Sequence, residues 1–209
     1  MRVYSRLTQI KRAIQQAESQ IRDSSHQPRT WPGSWSSFAT QGIRKPSYGA
    51  TPPELLLRCL IDIDLAEHTI LRPDLHFVDL GSGLGMASFT AAQYFSRVTG
   101  FEFDPYLSLA AERIRQHFGI QNVSFRLEDF IAADLTGFDV TYFYYPFVER
   151  FAEIMGAKLQ ELTPGTVVIS HSLGGPRLFP PQDFRSIYPR QQVYSDGQVM
   201  PNFFAYVRQ

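Results

Sequence analysis

From residue 75 the chain alternates short β-rich runs with longer stretches of helical periodicity, and no other feature constrains its fold as strongly. Such alternation is typical of a parallel sheet whose two faces are covered by helices. Two late β-rich runs, at 192–195 and 202–208, flank an Asp-Gly pair, which favours an antiparallel hairpin at the sheet edge. We therefore predict an α/β fold. The other predicted strands are 76–80, 97–103, 123–127, 138–144 and 166–170, and the helices between them are 86–95, 105–118 and 147–162.

The first 47 residues do not follow this pattern. Apolar side chains form a single seam along a helix over about the first 22 residues, whereas residues 23–47 are rich in Pro, Gly, Ser and Thr and indicate an irregular connector. The helix either lies on its own domain or forms a homodimer contact. We divide the chain into this N-terminal part, 1–47, and one domain, 48–209, in which Thr51 is the candidate cap of a helix over 53–65. The seam residues are Val3, Leu7, Ile10, Ile14, Ala17 and Ile21.

Composition excludes several classes of protein. Twenty basic residues balance twenty acidic ones, so the chain has no net charge that would attract nucleic acid or an anionic membrane. Cys59 is the single cysteine, which excludes a disulfide framework and a cysteine-rich zinc site. No stretch is apolar enough for a signal peptide core or a membrane span. We expect a cytoplasmic protein.

The segment FVDLGSGLG, residues 77–85, is an apolar strand that leads into a glycine-rich turn and a helix. A ligand can bind where such a strand ends, because glycines let the backbone approach it closely. A dinucleotide fingerprint needs Gly or Ala where this chain has Met86, which counts against a nicotinamide cofactor. A carboxylate just before the glycines would repel a diphosphate but could hold an ammonium group. The candidate binding residues here are Asp79, Gly81, Ser82, Gly83 and Gly85.

Acidic residues also follow the next two predicted strands. Glu102 lies about 20 residues beyond the glycine turn, where a carboxylate can accept hydrogen bonds from both ribose hydroxyls. Asp129 and Phe130 follow the third strand and could contact an adenine amine and its ring face. Each of these residues alone is as typical of an ordinary turn as of a ligand-binding site. Together they describe a ligand that contains adenine, ribose and an amino-acid cation.

These motifs resemble those of the class I, seven-strand S-adenosylmethionine-dependent methyltransferases, over about residues 48–209. The resemblance implies a Rossmann-like seven-strand sheet, mostly parallel with an antiparallel last strand, and helices on both faces. It also implies S-adenosyl-L-methionine as cofactor and S-adenosyl-L-homocysteine as product. A non-catalytic adenosylmethionine-binding protein and a nicotinamide oxidoreductase are less favoured alternatives.

Shorter motifs resemble the small prokaryotic protein-lysine methyltransferases related to the ATP synthase c-subunit lysine methyltransferase. They are YGATP at 48–52, GFEFDPYL at 100–107, and a fourth strand without Asp-Pro-Pro-Tyr. The resemblance implies that Tyr48 and Thr51 lie over the methionine end of the cofactor, and it adds Phe103 to the candidate cofactor-binding residues.

Aromatic residues cluster where the fourth strand ends. Tyr144, Tyr145 and Phe147 are the candidate catalytic residues, because aromatic walls exclude water and favour a neutral amine. We predict methyl transfer to a protein lysine, with small-molecule N- or O-methylation as the alternative. His171 could serve as a general base for a hydroxyl acceptor. No acidic cluster accompanies it, so we expect no metal site.

Overall fold

The computed structural model describes residues 2–23, 51–144, 149–171, 177–188 and 203–209. They form one seven-stranded sheet with helices on both faces, as predicted. The helices are α1 (Arg2–Asp23), α2 (Pro53–Ile63), α3 (Met86–Ala91), α4 (Pro105–His117) and α5 (Glu149–Gln160). The strands are β1 (His76–Leu80), β2 (Arg97–Glu102), β3 (Val123–Leu127), β4 (Val140–Tyr144), β5 (Val167–His171), β6 (Phe184–Ser186) and β7 (Phe203–Arg208).

The strand order is β3-β2-β1-β4-β5-β7-β6. Strands β1 to β5 are parallel, and β7 is antiparallel to both β5 and β6. Because β1 pairs with β2 on one side and β4 on the other, the order of the strands reverses at β1. The crevice at the carboxyl end of β1 is the expected ligand site. The antiparallel partner predicted at 192–195 lies outside the described residues. Among those described, β6 takes that position, and the sequence did not predict it.

Three residues of the apolar seam of α1 are buried in the domain itself. Leu7, Ile10 and Ile14 are at most 7% exposed, and the last two join the core on the face that α2 and α3 cover. Lys11 forms an ion pair with Glu54 at the start of α2, with Nζ and Oε1 2.8 Å apart. Of the two interpretations of the seam, the structure shows a helix lying on its own domain.

The two faces of the sheet have separate cores. One contains side chains of α1 to α4 packed against Phe77, Tyr142 and Ile169. The other contains Met155 and Leu159 of α5 packed against alternate residues of the same strands. Side chains along one strand alternate between the faces, so the last two side chains of a strand point to opposite faces of the sheet. Residues at the ends of neighbouring strands can therefore contact each other only when they point to the same face.

Candidate functional site

The glycine turn between β1 and α3 is held against the neighbouring strand. The backbone N–H groups of Gly81 and Ser82 both donate to the carbonyl of Phe101 at 2.9 Å, and the N–H of Gly85 donates to the carbonyl of Ser82 at 2.8 Å. All three glycines of the turn have positive φ angles, between 55° and 84°. The turn is therefore a fixed part of the sheet edge, with its conformation set by glycine.

Two of these glycines serve different purposes. A Cβ on Gly85 would lie 2.5 Å from Cζ of Phe125, so this glycine allows the helix to pack closely on the sheet. A Cβ on Gly81 would meet nothing within 4 Å, and Gly81 is exposed. The side of the turn at Gly81 is therefore open to a ligand.

Glu102 lies at the end of β2 and is 4% exposed. Its Oε2 accepts from the N–H of Gly83 and its Oε1 from the N–H of Asp104, both at 2.8 Å. Burial raises the pKa of Glu102 to about 7, against the opposing effect of these two bonds. Each carboxylate oxygen can accept a second hydrogen bond, so Glu102 can still receive two hydroxyl donors.

Asp79 is 2% exposed and interacts with the helix that follows the glycines. Its Oδ2 accepts from the backbone N–H of Ser88 at 3.0 Å and from the Ser88 hydroxyl at 2.7 Å. Burial raises the pKa of Asp79 to about 6. Sequence reasoning missed Ser88, because a serine in the first turn of a helix is common and nothing in one sequence links it to a strand carboxylate.

The residues after β3 have local partners. Oδ1 of Asp129 accepts from the N–H of Ile131 at 3.0 Å, which is a turn stabilised by its own side chain. Phe130 is 8% exposed and belongs to the core that α5 covers. Phe103 is half-buried. Contact of Asp129 and Phe130 with adenine, and of Phe103 with the cofactor, remains a prediction.

Thr51 does not cap α2, so that prediction is wrong. The cap position is Pro52, and the hydroxyl of Thr51 instead forms a 2.5 Å hydrogen bond with the phenol of Tyr142 on β4. Both side chains are buried, and Tyr142 is the register neighbour of Asp79. The start of α2 is thereby attached to the face of the sheet that carries Asp79. Tyr48 lies outside the described residues.

At the predicted acceptor end, Tyr144 is the last residue of β4, whereas Tyr145 and Phe147 lie outside the described residues. His171 is the last residue of β5 rather than a residue beyond it, and it pairs in register with Tyr144 and with Phe203 of β7. The imidazole centroid is 4.6 Å from the Tyr144 ring and 4.4 Å from the Phe203 ring. Three aromatic rings thus lie side by side across neighbouring strands.

Two absences apply to the described part of the chain. It contains no group of three or more His, Cys, Asp or Glu side chains arranged to hold a metal ion. Within the same ranges, no helix has the length and apolar character needed to cross a membrane.

Comparison with known proteins relates this site to methyltransferases. The ANTKMT methyltransferase domain, of a lysine methyltransferase family, matches residues 79–180, from the carboxylate of β1 to beyond β5. No curated protein matches the chain.

Solved structures share the fold. An RNA methyltransferase from Salinibacter ruber, in complex with S-adenosyl-L-homocysteine, is 24% identical, with 77% of this chain and 94% of that chain covered and a TM-score of 0.58. A magnesium protoporphyrin IX methyltransferase from Synechocystis with bound cofactor is 12% identical, with 78% and 87% covered and a TM-score of 0.57. An rRNA methylase from Streptococcus thermophilus is 15% identical, with 78% and 99% covered and a TM-score of 0.51.

The residues present fit S-adenosylmethionine. The hydroxyl of Ser82 is buried in the glycine turn and has no hydrogen-bond partner among the described residues, so the turn contains a polar atom that these residues leave unsatisfied. Glu102 keeps acceptor capacity for two ribose hydroxyls, and Gly81 leaves open space. The fold is that of the class I S-adenosylmethionine-dependent methyltransferases, and residues 79–180 match the ANTKMT methyltransferase domain.

Proposed function

We propose that the chain methylates the side-chain amine of a lysine in a protein substrate. The observation that carries this proposal is the uncharged row at the acceptor end, where Tyr144, His171 and Phe203 lie side by side at the ends of β4 and β5 and the start of β7. The match of residues 79–180 to a lysine methyltransferase family supports it.

An amine acceptor must be neutral before it can attack a methyl group. A lysine with a pKa of about 10.4 is only about 0.04% neutral at pH 7, which is a deficit of about 4.6 kcal/mol. Aromatic walls remove water from the amine and disfavour its charged form, whereas a neighbouring carboxylate would stabilise the charge. A row of uncharged rings is therefore the environment that an amine acceptor needs.

For methyl transfer itself, the protein has only to align the donor with the acceptor and exclude water. When bound, S-adenosylmethionine supplies a methyl group on a positively charged sulfur. The amine lone pair forms the new N–C bond as the C–S bond breaks, its electron pair stays on sulfur, and the methylated ammonium loses its proton to water. Glu102 and the glycine turn would hold the donor, and the aromatic row would align the acceptor and exclude water.

Other acceptors fit these residues less well. A hydroxyl acceptor needs a general base, and burial lowers the pKa of His171 to about 4, which makes it a weak one. Enzymes that methylate planar base nitrogens hold them with a side-chain oxygen of Asn or Asp after the fourth strand, and this chain has Tyr-Tyr-Pro-Phe at 144–147. A small-molecule amine is the alternative acceptor, and label in the low-mass fraction would identify it.

The test is transfer of a radiolabelled methyl group in a lysate of the source cells, followed by separation of protein, nucleic acid and low-mass fractions. We expect label in protein, recovered after acid hydrolysis as methylated lysine. Glu102→Ala should abolish labelling, whereas Glu153→Ala, the same change at an exposed position of α5, should retain it. Label confined to nucleic acid or to the low-mass fraction would overturn the proposal.

A further inference from the structure

The imidazole of His171 is stacked between two aromatic rings. Its imidazole is nearly parallel to the ring of Phe203, at 5°, and tilted by 32° from that of Tyr144. The contacts follow from register, because these three residues are directly opposed on neighbouring strands and point to the same face. The stacking fixes the plane of the imidazole, so its nitrogens can only face away from the two rings.

One ring nitrogen of His171 has no hydrogen-bond partner among the residues that the structure describes. His171 is 6% exposed, and its Nδ1 is buried with no hydrogen bond to any described residue. An unsatisfied buried polar atom costs free energy, so its presence needs an explanation. Burial also lowers the pKa of His171 to about 4, so that the ring is neutral at pH 7. A neutral imidazole with its proton on Nε2 has a lone pair on Nδ1.

The position of His171 relates it to the donor site. Asp79 of β1 is opposed to Tyr142 of β4, and Tyr144 lies two residues further along the same face. Tyr144 is in turn opposed to His171. The imidazole therefore lies on the face of the sheet that carries Asp79 and the Thr51–Tyr142 hydrogen bond, at the carboxyl ends of the strands.

We propose that His171 is a positioning residue for the acceptor, whose Nδ1 accepts a hydrogen bond from an N–H of the amine and so directs the amine lone pair towards the methyl donor. This inference rests on the proposed amine-methylating function. It also makes a chemical distinction. A neutral primary amine has two N–H groups and a monomethyl amine has one, but a neutral dimethyl amine has none. His171 therefore assists the first two methyl transfers and not a third.

The binding test uses the full chain loaded with S-adenosyl-L-homocysteine and labelled with nitrogen-15 histidine. The His171 signals are assigned by comparison with His171→Phe. n-Butylamine, which mimics the lysine side chain, should shift the unprotonated ring nitrogen of His171. Butyltrimethylammonium has the charge of protonated n-butylamine but no N–H, and it should leave that nitrogen unchanged. An equal response to both probes, or no response to n-butylamine, would overturn the role of Nδ1.

The kinetic test uses poly-L-lysine as acceptor. His171→Phe, which keeps an aromatic ring, should lower kcat at least tenfold and change the affinity for S-adenosyl-L-homocysteine less than twofold. His171→Asn, whose amide lies near the position of Nδ1, should recover part of the loss. His117→Phe, the same change at an exposed position of α4, should behave like the wild type. Active wild-type protein with unchanged kcat in His171→Phe would refute this inference and leave the proposed function intact.

The converse result is separable. If the wild-type protein methylates no amine and the His171 nitrogen does not respond to n-butylamine, both the proposed function and this inference fail. If it methylates no amine but the His171 nitrogen does respond, the proposed function fails and amine binding at His171 is still supported.

Discussion

Replacement of Glu102 by glutamine should change how the stability of the protein depends on pH. The pKa of Glu102 is raised from 4.5 to about 7 in the folded chain, chiefly by burial. A carboxyl group with a raised pKa binds its proton more tightly when folded, so it stabilises the fold fully below pH 4.5 and loses that contribution as pH rises through 7. Between pH 5 and pH 8 this one group should lower the free energy of unfolding by roughly 2–3 kcal/mol.

A second group contributes to the same window. Burial raises the pKa of Asp79 from 3.8 to about 6, which adds a fall of roughly 1–2 kcal/mol over the same range. We therefore expect the wild-type protein without ligand to lose about 4 kcal/mol between pH 5 and pH 8, and Glu102→Gln to lose only the smaller part. Urea unfolding at four pH values measures this, with Glu153→Gln, an exposed glutamate on α5, as the control that should follow the wild type.

The same substitution tests the ribose role. If the ionised carboxylate is the form that receives two hydroxyls, the affinity for S-adenosyl-L-homocysteine should rise about tenfold more between pH 6 and pH 8 in the wild type than in Glu102→Gln, because ionisation rises from about 9% to about 91%. Isothermal titration at both pH values gives this difference. Parallel stability curves for the wild type and Glu102→Gln would refute the raised pKa, and parallel affinities would refute the ribose contact.

Three further substitutions test the site and the packing. Gly85→Ala should lower the free energy of unfolding by roughly 2–5 kcal/mol, because left-handed strain adds to a clash with Phe125, whereas Gly81→Ala should cost only the strain, about 1–2 kcal/mol; equal losses in urea unfolding would contradict this. Ser88→Ala should cost about 1–3 kcal/mol at pH 8 and clearly less at pH 5, where the β1 carboxyl is protonated, and a loss independent of pH would show that the hydroxyl does not stabilise the charge. Ile10→Ala should cost about 2–5 kcal/mol with no change in molecular mass by light scattering, while a loss that depended on protein concentration would place the seam at a subunit interface.

Local patterns in the sequence predicted strands β1 to β5, and Glu102 follows from its distance to the glycine turn. The seven-strand mixed sheet was implied by the family resemblance, and β6 was not predicted. The partners of polar side chains were not predictable in the same way. Thr51 has the spacing of a helix cap, yet its hydroxyl bonds Tyr142, which is remote in sequence. Hydrophobic periodicity predicts which side chains are buried, but it does not predict which two buried hydroxyl groups form a hydrogen bond.

The boundary of β5 shows the same limit and has a functional consequence. Placed beyond its strand, His171 would be an exposed histidine with an ordinary pKa, and a general base would be a reasonable role for it. The register of β4, β5 and β7 instead puts it inside the sheet between two rings, where burial keeps it neutral. Because β5 ends at His171 and not one residue earlier, His171 is suited to accept a hydrogen bond as a neutral ring and not to act as a general base.

The distribution of charge along the carboxyl ends of the strands connects these observations. On the β1 and β2 side, Asp79 and Glu102 are buried carboxyl groups, which suit a donor that carries a cation and two hydroxyls. On the β4 and β5 side, the described strand-end residues that face the same layer are Tyr144 and His171, neither of which is an acid. A carboxylate on the β4 and β5 side would stabilise a protonated lysine and oppose methyl transfer. Without carboxylates on the β1 and β2 side, the methyl donor would lose its binding partners. The reversal of strand order at β1 brings these two environments together at the carboxyl ends of the parallel strands and keeps the carboxylates on the donor side.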